Sequence, residues 1–380
     1  MLLPPLLLLC AGALLGAACG ARGQQRSSND AATPAGMAGS GGPIGTPLPG
    51  STASPGTAPA AAARGSTGSE PAFAGGLLIT RDRSLALRDL QSGKERTLFT
   101  APEGAFATFP AWAPDGRRFA FAVATPFSGA PGANWGSDLY LAEQPGAPPR
   151  RIWQHPTPGD DVDSLQWTPD GAALLFAEAR LVYDSAGDVQ GQSFDLMRLQ
   201  LAGGAAQPLV RNASDADLCP DGSRMVYVAF DPTTNARGAL MLADGMGQHP
   251  AAIVTPRPEA QSFMYPRLSP DCRRIVFAAA NATGARRPPM PLAGGPKRLA
   301  LTHGSPWEIW TVNADGSGLA RLTHLAEDEP FPQWSADGGR LLVLGTNALY
   351  ELNVDGSGLR QLATPGASHG QIAWLRPPSH

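Results

Sequence analysis

The chain has 380 residues, a formal charge of −3 and only 16% charged residues, with 45 Gly and 38 Pro. That length holds one large all-β domain plus a tail. The near-neutral charge gives no electrostatic case for a nucleic-acid partner, which would call for a clustered basic surface.

The first stretch, Met1 to Ala18, is uncharged and almost wholly Leu, Ala, Gly and Pro. Pro4, Pro5 and the glycines interrupt it, so it suits the apolar region of an export signal better than a spanning helix. It ends in Leu15-Gly-Ala-Ala-Cys19, which resembles the lipobox of bacterial lipoproteins. Gly16 departs from the usual aliphatic residue, and no Lys or Arg precedes the run. The resemblance implies acylation of Cys19 and a membrane-anchored lipoprotein outside the cytoplasm. Ordinary secretion and a retained anchor are the alternatives.

Residues 20–72 are Gly, Ala, Pro, Ser and Thr with almost no large apolar side chain. Such a composition cannot bury enough surface to offset its ordering entropy, so a disordered tether is expected. As a flexible coil it reaches roughly 40 Å. With 1–19 as signal, this leaves 73–380 as the folded domain.

The domain opens with strand-like runs, Gly76-Leu-Leu-Ile-Thr80, Ser84-Leu-Ala-Leu-Arg-Asp-Leu90 and Arg96-Thr-Leu-Phe99. A turn unit then recurs: Pro110-Ala-Trp-Ala-Pro-Asp-Gly116, Leu165-Gln-Trp-Thr-Pro-Asp-Gly171, Asp217-Leu-Cys-Pro-Asp-Gly222, Pro266-Arg-Leu-Ser-Pro-Asp-Cys272 and Pro332-Gln-Trp-Ser-Ala-Asp-Gly338. Proline presets φ, Asp bonds its own backbone and Gly accepts positive φ, so each unit predicts a β-hairpin. Each copy continues into strands of the Asp-Leu-Tyr-Leu and Arg-Leu-Thr types, giving four strands: a before the turn, b after it, then c and d.

Full sets start near residues 108, 163, 215, 265 and 331, whereas 73–99 supplies only b, c and d. The stretch Gly370-Gln-Ile-Ala-Trp-Leu375 looks like a lone strand a. The surplus strand at one end matches the gap at the other, which predicts a closed ring of six blades without exposed edges. These repeats resemble the PD40 or WD40-like repeat, and the region as a whole resembles the six-bladed β-propeller of TolB. The matching residues are the Trp-x-Pro-Asp-Gly turns and the Asp-Gly-Ser-Gly…Arg-Leu-Thr endings. The resemblance implies a scaffold that binds proteins at a cell envelope, but not the specific partners of the Tol system, since only the tether stands where the α/β domain precedes the propeller in TolB. A monomer is expected.

In such blades the a–b and c–d turns lie on one face and the b–c and d–a loops on the other. The turns are compact, and the length variation falls in the b–c loops 124–136, 180–192 and 278–306. Loops on a rigid scaffold are the usual place for recognition, so binding of an envelope protein or polymer is assigned to that face. The last loop holds Arg286, Arg287, Lys297, Arg298 and His303. The d–a loops hold Asp160, Asp161 and Asp163, then Asp215 and Asp217, then Glu327, Asp328 and Glu329, placed to ring the channel mouth. Carboxylates of this kind suit Ca²⁺, but no D-x-[DN]-x-[DN]-G loop is present, and no metal or cofactor is expected.

Catalytic signatures are lacking. His155, His249, His303, His324, His369 and His380 show no paired spacing, and no G-x-S-x-G elbow exists. Asp115, Asp170, Asp221, Asp271 and Asp337 belong to the repeated turn and read as structural. The protein is therefore expected to be a non-enzymatic scaffold; a lyase or cyclase, or a small-ligand or sugar binder with its site at the channel mouth, is the alternative. Cys219 and Cys272, lacking CxxC spacing, read as two separate buried thiols rather than a disulfide or a metal site.

Overall fold

Among the described residues, twenty-four strands pair into six antiparallel sheets of four strands each. The structure is a computed structural model and describes residues 76–81, 83–126, 135–187, 189–231, 237–280, 307–325, 327–346, 348–363 and 372–374. Cys19, the tether and the basic residues Arg286, Arg287, Lys297, Arg298 and His303 lie outside them.

Blade 1 contains β1 (Gly76–Arg81), β2 (Ser84–Asp89) and β3 (Glu95–Thr100). Blade 2 runs β4 (Phe106–Trp112), β5 (Phe119–Pro126), β6 (Trp135–Ala142) and β7 (Arg150–Trp153). Blade 3 runs β8 (Asp161–Trp167), β9 (Ala173–Tyr183), β10 (Val189–Gln200) and β11 (Gln207–Arg211). Blade 4 follows with β12 (Ala213–Leu218), β13 (Arg224–Phe230), β14 (Arg237–Asp244) and β15 (Ala251–Val254). Blade 5 has β16 (Ser262–Leu268), β17 (Arg274–Ala280), β18 (Trp307–Asn313) and β19 (Ala320–Arg321). Blade 6 has β20 (Phe331–Trp334), β21 (Arg340–Leu344), β22 (Leu349–Asn353) and β23 (Arg360–Ala363). The last strand, β24 (Ala373–Trp374), returns to blade 1 and pairs with β1 through Leu77↔Trp374 and Leu78↔Ala373. This is the six-bladed β-propeller expected, with the C-terminal strand closing the ring.

The five Pro-Asp-Gly-type turns share one hydrogen-bond plan. The fourth residue donates its N–H to the carbonyl of the first, from Gly116 to Ala113 at 3.0 Å and Gly171 to Thr168 at 2.8 Å, for example. The Asp carboxylate then caps the chain beyond, as Asp115 does for the N–H groups of Arg117 and Arg118 at 2.8 and 2.9 Å. In blade 5 Cys272 replaces Gly and still takes φ +58°, a conformation uncommon for residues with a Cβ.

The apolar interior lies in the seams between blades. Separate buried clusters join blades 1 and 2, 2 and 3, 3 and 4, and 4 and 5, and one larger cluster joins blades 5, 6 and 1. Strand b is buried on both faces, Phe119 to Ala124 being wholly covered, which is why it reads as a continuous apolar run. Two Trp of the repeated turn bridge these seams, with Nε1 of Trp167 donating to the carbonyl of Ala111 at 3.0 Å and Nε1 of Trp334 to that of Arg267 at 2.8 Å.

The expectation of two separate thiols is overturned. Cys219 and Cys272 form a disulfide between the turns of blades 4 and 5, with Cα atoms 5.7 Å apart, inside the range a bridge requires. A second feature not foreseen is a β-bulge in strand a of blades 2 to 5. In three of them it places Phe109, Asp215 and Tyr265 at φ of +47°, +53° and +52°. A bulge re-aims the residues that follow it.

Candidate functional site

On the b–c and d–a loop face, one acid position recurs in strand c and holds the start of the following d–a loop. Oδ1 of Asp138 accepts from the N–H of His155 at 3.2 Å, Oδ1 of Asp195 from Asn212 at 3.0 Å, and Oε2 of Glu308 from Leu325 at 2.8 Å. These acids are ties within each blade, because bonding a loop N–H keeps a buried backbone group satisfied. In blade 2 the tie is extended: Asp138 also holds the ring Nδ1 of His155 at 2.7 Å and Arg151 at 3.0 Å. Gly136 leaves room for this ring, since a Cβ there would come within 2.8 Å of Nε2 of His155 and displace it.

The d–a acids do not form an open ring of solvated carboxylates. Asp160, Asp215 and Glu327 are buried, and Asp161, Asp163, Asp217, Asp328 and Glu329 are half-buried. The carbonyl of Asp160 accepts from the N–H of Ser137 at 3.1 Å, and the hydroxyl of Ser137 donates to Asp161, so these two acids tie blade 3 to blade 2. Burial pushes both carboxyls above the ordinary aspartate value, and hydrogen bonds only partly offset it. Asp217 crosses to blade 5, where Oδ2 accepts from the N–H of Leu268 at 2.8 Å.

Glu327 accepts a 2.6 Å bond from the Tyr350 hydroxyl, and burial together with that carboxylate raises the phenol well above its usual range. The carboxylate of Glu327 is thus engaged by Tyr350. Among the described residues, His155 is held by Asp138, and the Ser137 hydroxyl donates to Asp161.

The most distinctive element of this face is the β9–β10 hairpin. Its strands have 11 and 12 residues, and residues beyond Ala179 on β9 have no partner on β8. At its base Arg180 lies between Glu178, at 2.9 Å, and Asp195. Phe194 stacks on Phe230 of blade 4 at 4.3 Å between ring centroids. Toward its tip Val182 and Tyr183 are 44% and 39% exposed. In blade 2, Trp135 is also exposed, packed edge-on against Phe106 at 5.0 Å. The spacing of charged residues gave no signal for the Glu178–Arg180–Asp195 group, which the chain assembles from two strands.

The turn face is less plain than the compact turns suggested. A groove of about 370 Å³ lies between blades 3 and 4, lined by Asp170, Arg198, Asp221, Asp244 and Met246 among others. Each of the three Asp already holds a turn: Asp170 accepts from Ala172, Asp221 from Ser223, and Asp244 from Met246. Among the described residues, the one cluster with metal-ligand proximity is Cys219, Asp221 and Cys272. The disulfide consumes its two sulfurs, so the set does not fit an ion.

No family model and no curated protein matches the chain. Among solved structures, it is similar to a putative TolB from Agrobacterium tumefaciens, with 19% identity, a TM-score of 0.53, and 77% of this chain and 91% of that one covered. It is also similar to TolB from Acinetobacter baumannii, with 15% identity and a TM-score of 0.55 over 79% of this chain. It spans only 66% of that protein's length. An oligogalacturonate lyase in complex with manganese matches at a TM-score of 0.42, too distant to bear on chemistry. By blade count, strand order and ring closure, the described residues form a six-bladed β-propeller, similar in fold to these TolB structures.

Proposed function

We propose that this protein is a non-enzymatic, extracytoplasmic binding scaffold, held to a membrane through acylated Cys19, that binds an envelope protein or polymer through its b–c and d–a loop face. The observation that carries the reading is the β9–β10 hairpin. It extends past the body of blade 3 and presents Val182 and Tyr183 to solvent from a base held by Arg180 and the Phe194–Phe230 stack. Exposed apolar side chains on a rigid support are what a protein interface uses as anchors. The disulfide supports an oxidising compartment, where such bonds persist. The basic residues Arg286, Arg287, Lys297 and Arg298 add a second, charged element to the same face in this reading.

The test is a pull-down from envelope extract with three baits: the wild type, a deletion of 286–297, and the double variant Val182→Ser, Tyr183→Ser. Loss of a common partner with either variant supports the face assignment. Equal recovery by all three overturns it, and a triple change of Glu327, Asp328 and Glu329 that abolished a turnover would favour an enzyme instead.

A further inference from the structure

Arg267, on strand a of blade 5, is 1% exposed. Its Nη1 donates to the carbonyl of Pro266 at 2.8 Å, and its guanidinium lies 4.4 Å above the ring centroid of Phe331. Its other two nitrogens, Nε and Nη2, are buried and meet no acceptor. Those two share one edge of the guanidinium and present parallel N–H groups. This is the edge that grips a carboxylate side-on with two hydrogen bonds. A buried cation with that edge unmet is costly unless something occupies it.

The groups around this guanidinium come from the neighbouring blades on either side. Phe331 belongs to strand a of blade 6, and Asp215 and Asp217, whose charges act on Arg267, belong to strand a of blade 4. All of them are on innermost strands. The residue just before the Trp or Leu of each strand a reads, around the ring from blade 1, Ala373, Ala111, Gln166, Asp217, Arg267 and Gln333. The charged pair therefore sits on one side of the ring, with two alanines opposite.

We propose that the channel wall across blades 4, 5 and 6 binds a small carboxylate gripped by Nε and Nη2 of Arg267. The charges of Asp215 and Asp217 select the ligand further. They repel a phosphate dianion and favour a carboxylate whose own molecule carries a positive charge close by, as a zwitterionic α-amino acid does. The site is independent of the loop-face reading above.

The experiment titrates the purified full chain with glycine, acetate and phosphate, reading heat of binding and melting temperature. Glycine gives a saturable response, acetate a weaker one and phosphate none. Arg267→Lys keeps the charge but loses the paired edge, and weakens glycine binding by about tenfold or more. Asp215→Asn serves if Arg267→Lys fails to fold, and it shifts preference from glycine toward acetate. The proposal is overturned by no saturable response to any probe, by phosphate binding as tightly as glycine, by Arg267→Lys binding glycine like the wild type, or by an unchanged glycine-to-acetate ratio in Asp215→Asn.

Discussion

The indole Nε1 of Trp334 donates a 2.8 Å hydrogen bond to the main-chain carbonyl of Arg267, one blade earlier in the ring. Arg274 of that earlier blade returns the contact, with its guanidinium 5.2 Å from the Trp334 ring and its Nη2 on the carbonyl of Gly338 at 3.3 Å. Trp167 repeats both halves with Ala111 and Arg118 in blades 2 and 3. The repeated Trp is thus an inter-blade clamp.

Trp334→Phe keeps the apolar ring and removes the donor, leaving the buried carbonyl of Arg267 unmet. Equilibrium urea unfolding is expected to show a loss of about 1–3 kcal/mol. Arg274→Ala, at a half-buried surface position, loses less, about 0.5–1 kcal/mol. Equal and negligible effects would show that the clamp adds nothing to the seam.

The Cys219–Cys272 bond closes a loop with a sequence separation of 53 and staples blade 4 to blade 5. Restricting the unfolded chain in this way is worth about 4 kcal/mol on the loop-entropy model. Melting with and without dithiothreitol, and of Cys219→Ser, is expected to show a clear fall in melting temperature on reduction. Identical melts would mean the bridge is absent in solution.

The carboxyls of Asp160, Asp161 and Glu178 are raised by burial above ordinary values of 3.8, 3.8 and 4.5. A group held higher in the folded state binds protons more tightly there, so stability falls as pH rises through the interval from the unfolded to the folded value. The turn carboxyls of Asp115, Asp271 and Asp337 are shifted down instead, the first because burial is outweighed by bonds from Arg118 and Arg117 together, the others first through Ser269 and Ser335. Their contribution is present above the ordinary value and is lost as pH falls through the lower folded value. Melting temperature should therefore hold or rise on mild acidification from neutrality, and drop below about pH 4. Asp160→Asn with Asp161→Asn, which keeps the acceptor oxygens, should flatten the upper limb while leaving the acid drop; an unchanged profile would contradict the assignment.

Cys19→Ser is expected to abolish fatty-acid labelling and to release the protein from membranes. Membrane fractionation of cells expressing each form reads this directly, and unchanged membrane association counts against acylation.

Much of this fold is legible because its instructions are local. The Pro-Asp-Gly turn bonds residue to residue within four positions, and the buried b strand needs an apolar run that any reader of Arg274-Ile-Val-Phe277 can see. The return of Ala373–Trp374 to Leu77 and Leu78 follows from counting, since a ring with one blade short of a strand has only one way to close. The acidic d–a loops were visible as composition, but their burial was not. Whether Asp160 is solvated or packed under Ser137 depends on a neighbouring blade.

The sequence by itself determined the blade: its turns, its four strands, the number of copies and the end that completes the ring. Short turns and pairing between successive strands specify the blade from nearby residues, and the closing end follows from the strand count, although its pairing joins Leu77 to Trp374. Only the tertiary structure decided what meets across the seams. The Cys219–Cys272 bond, the Trp334–Arg267 clamp and the buried guanidinium over Phe331 each join residues more than fifty positions apart. Their meeting depends on how one twisted sheet packs against the next and on where a bulge turns strand a. No local pattern encodes that angle.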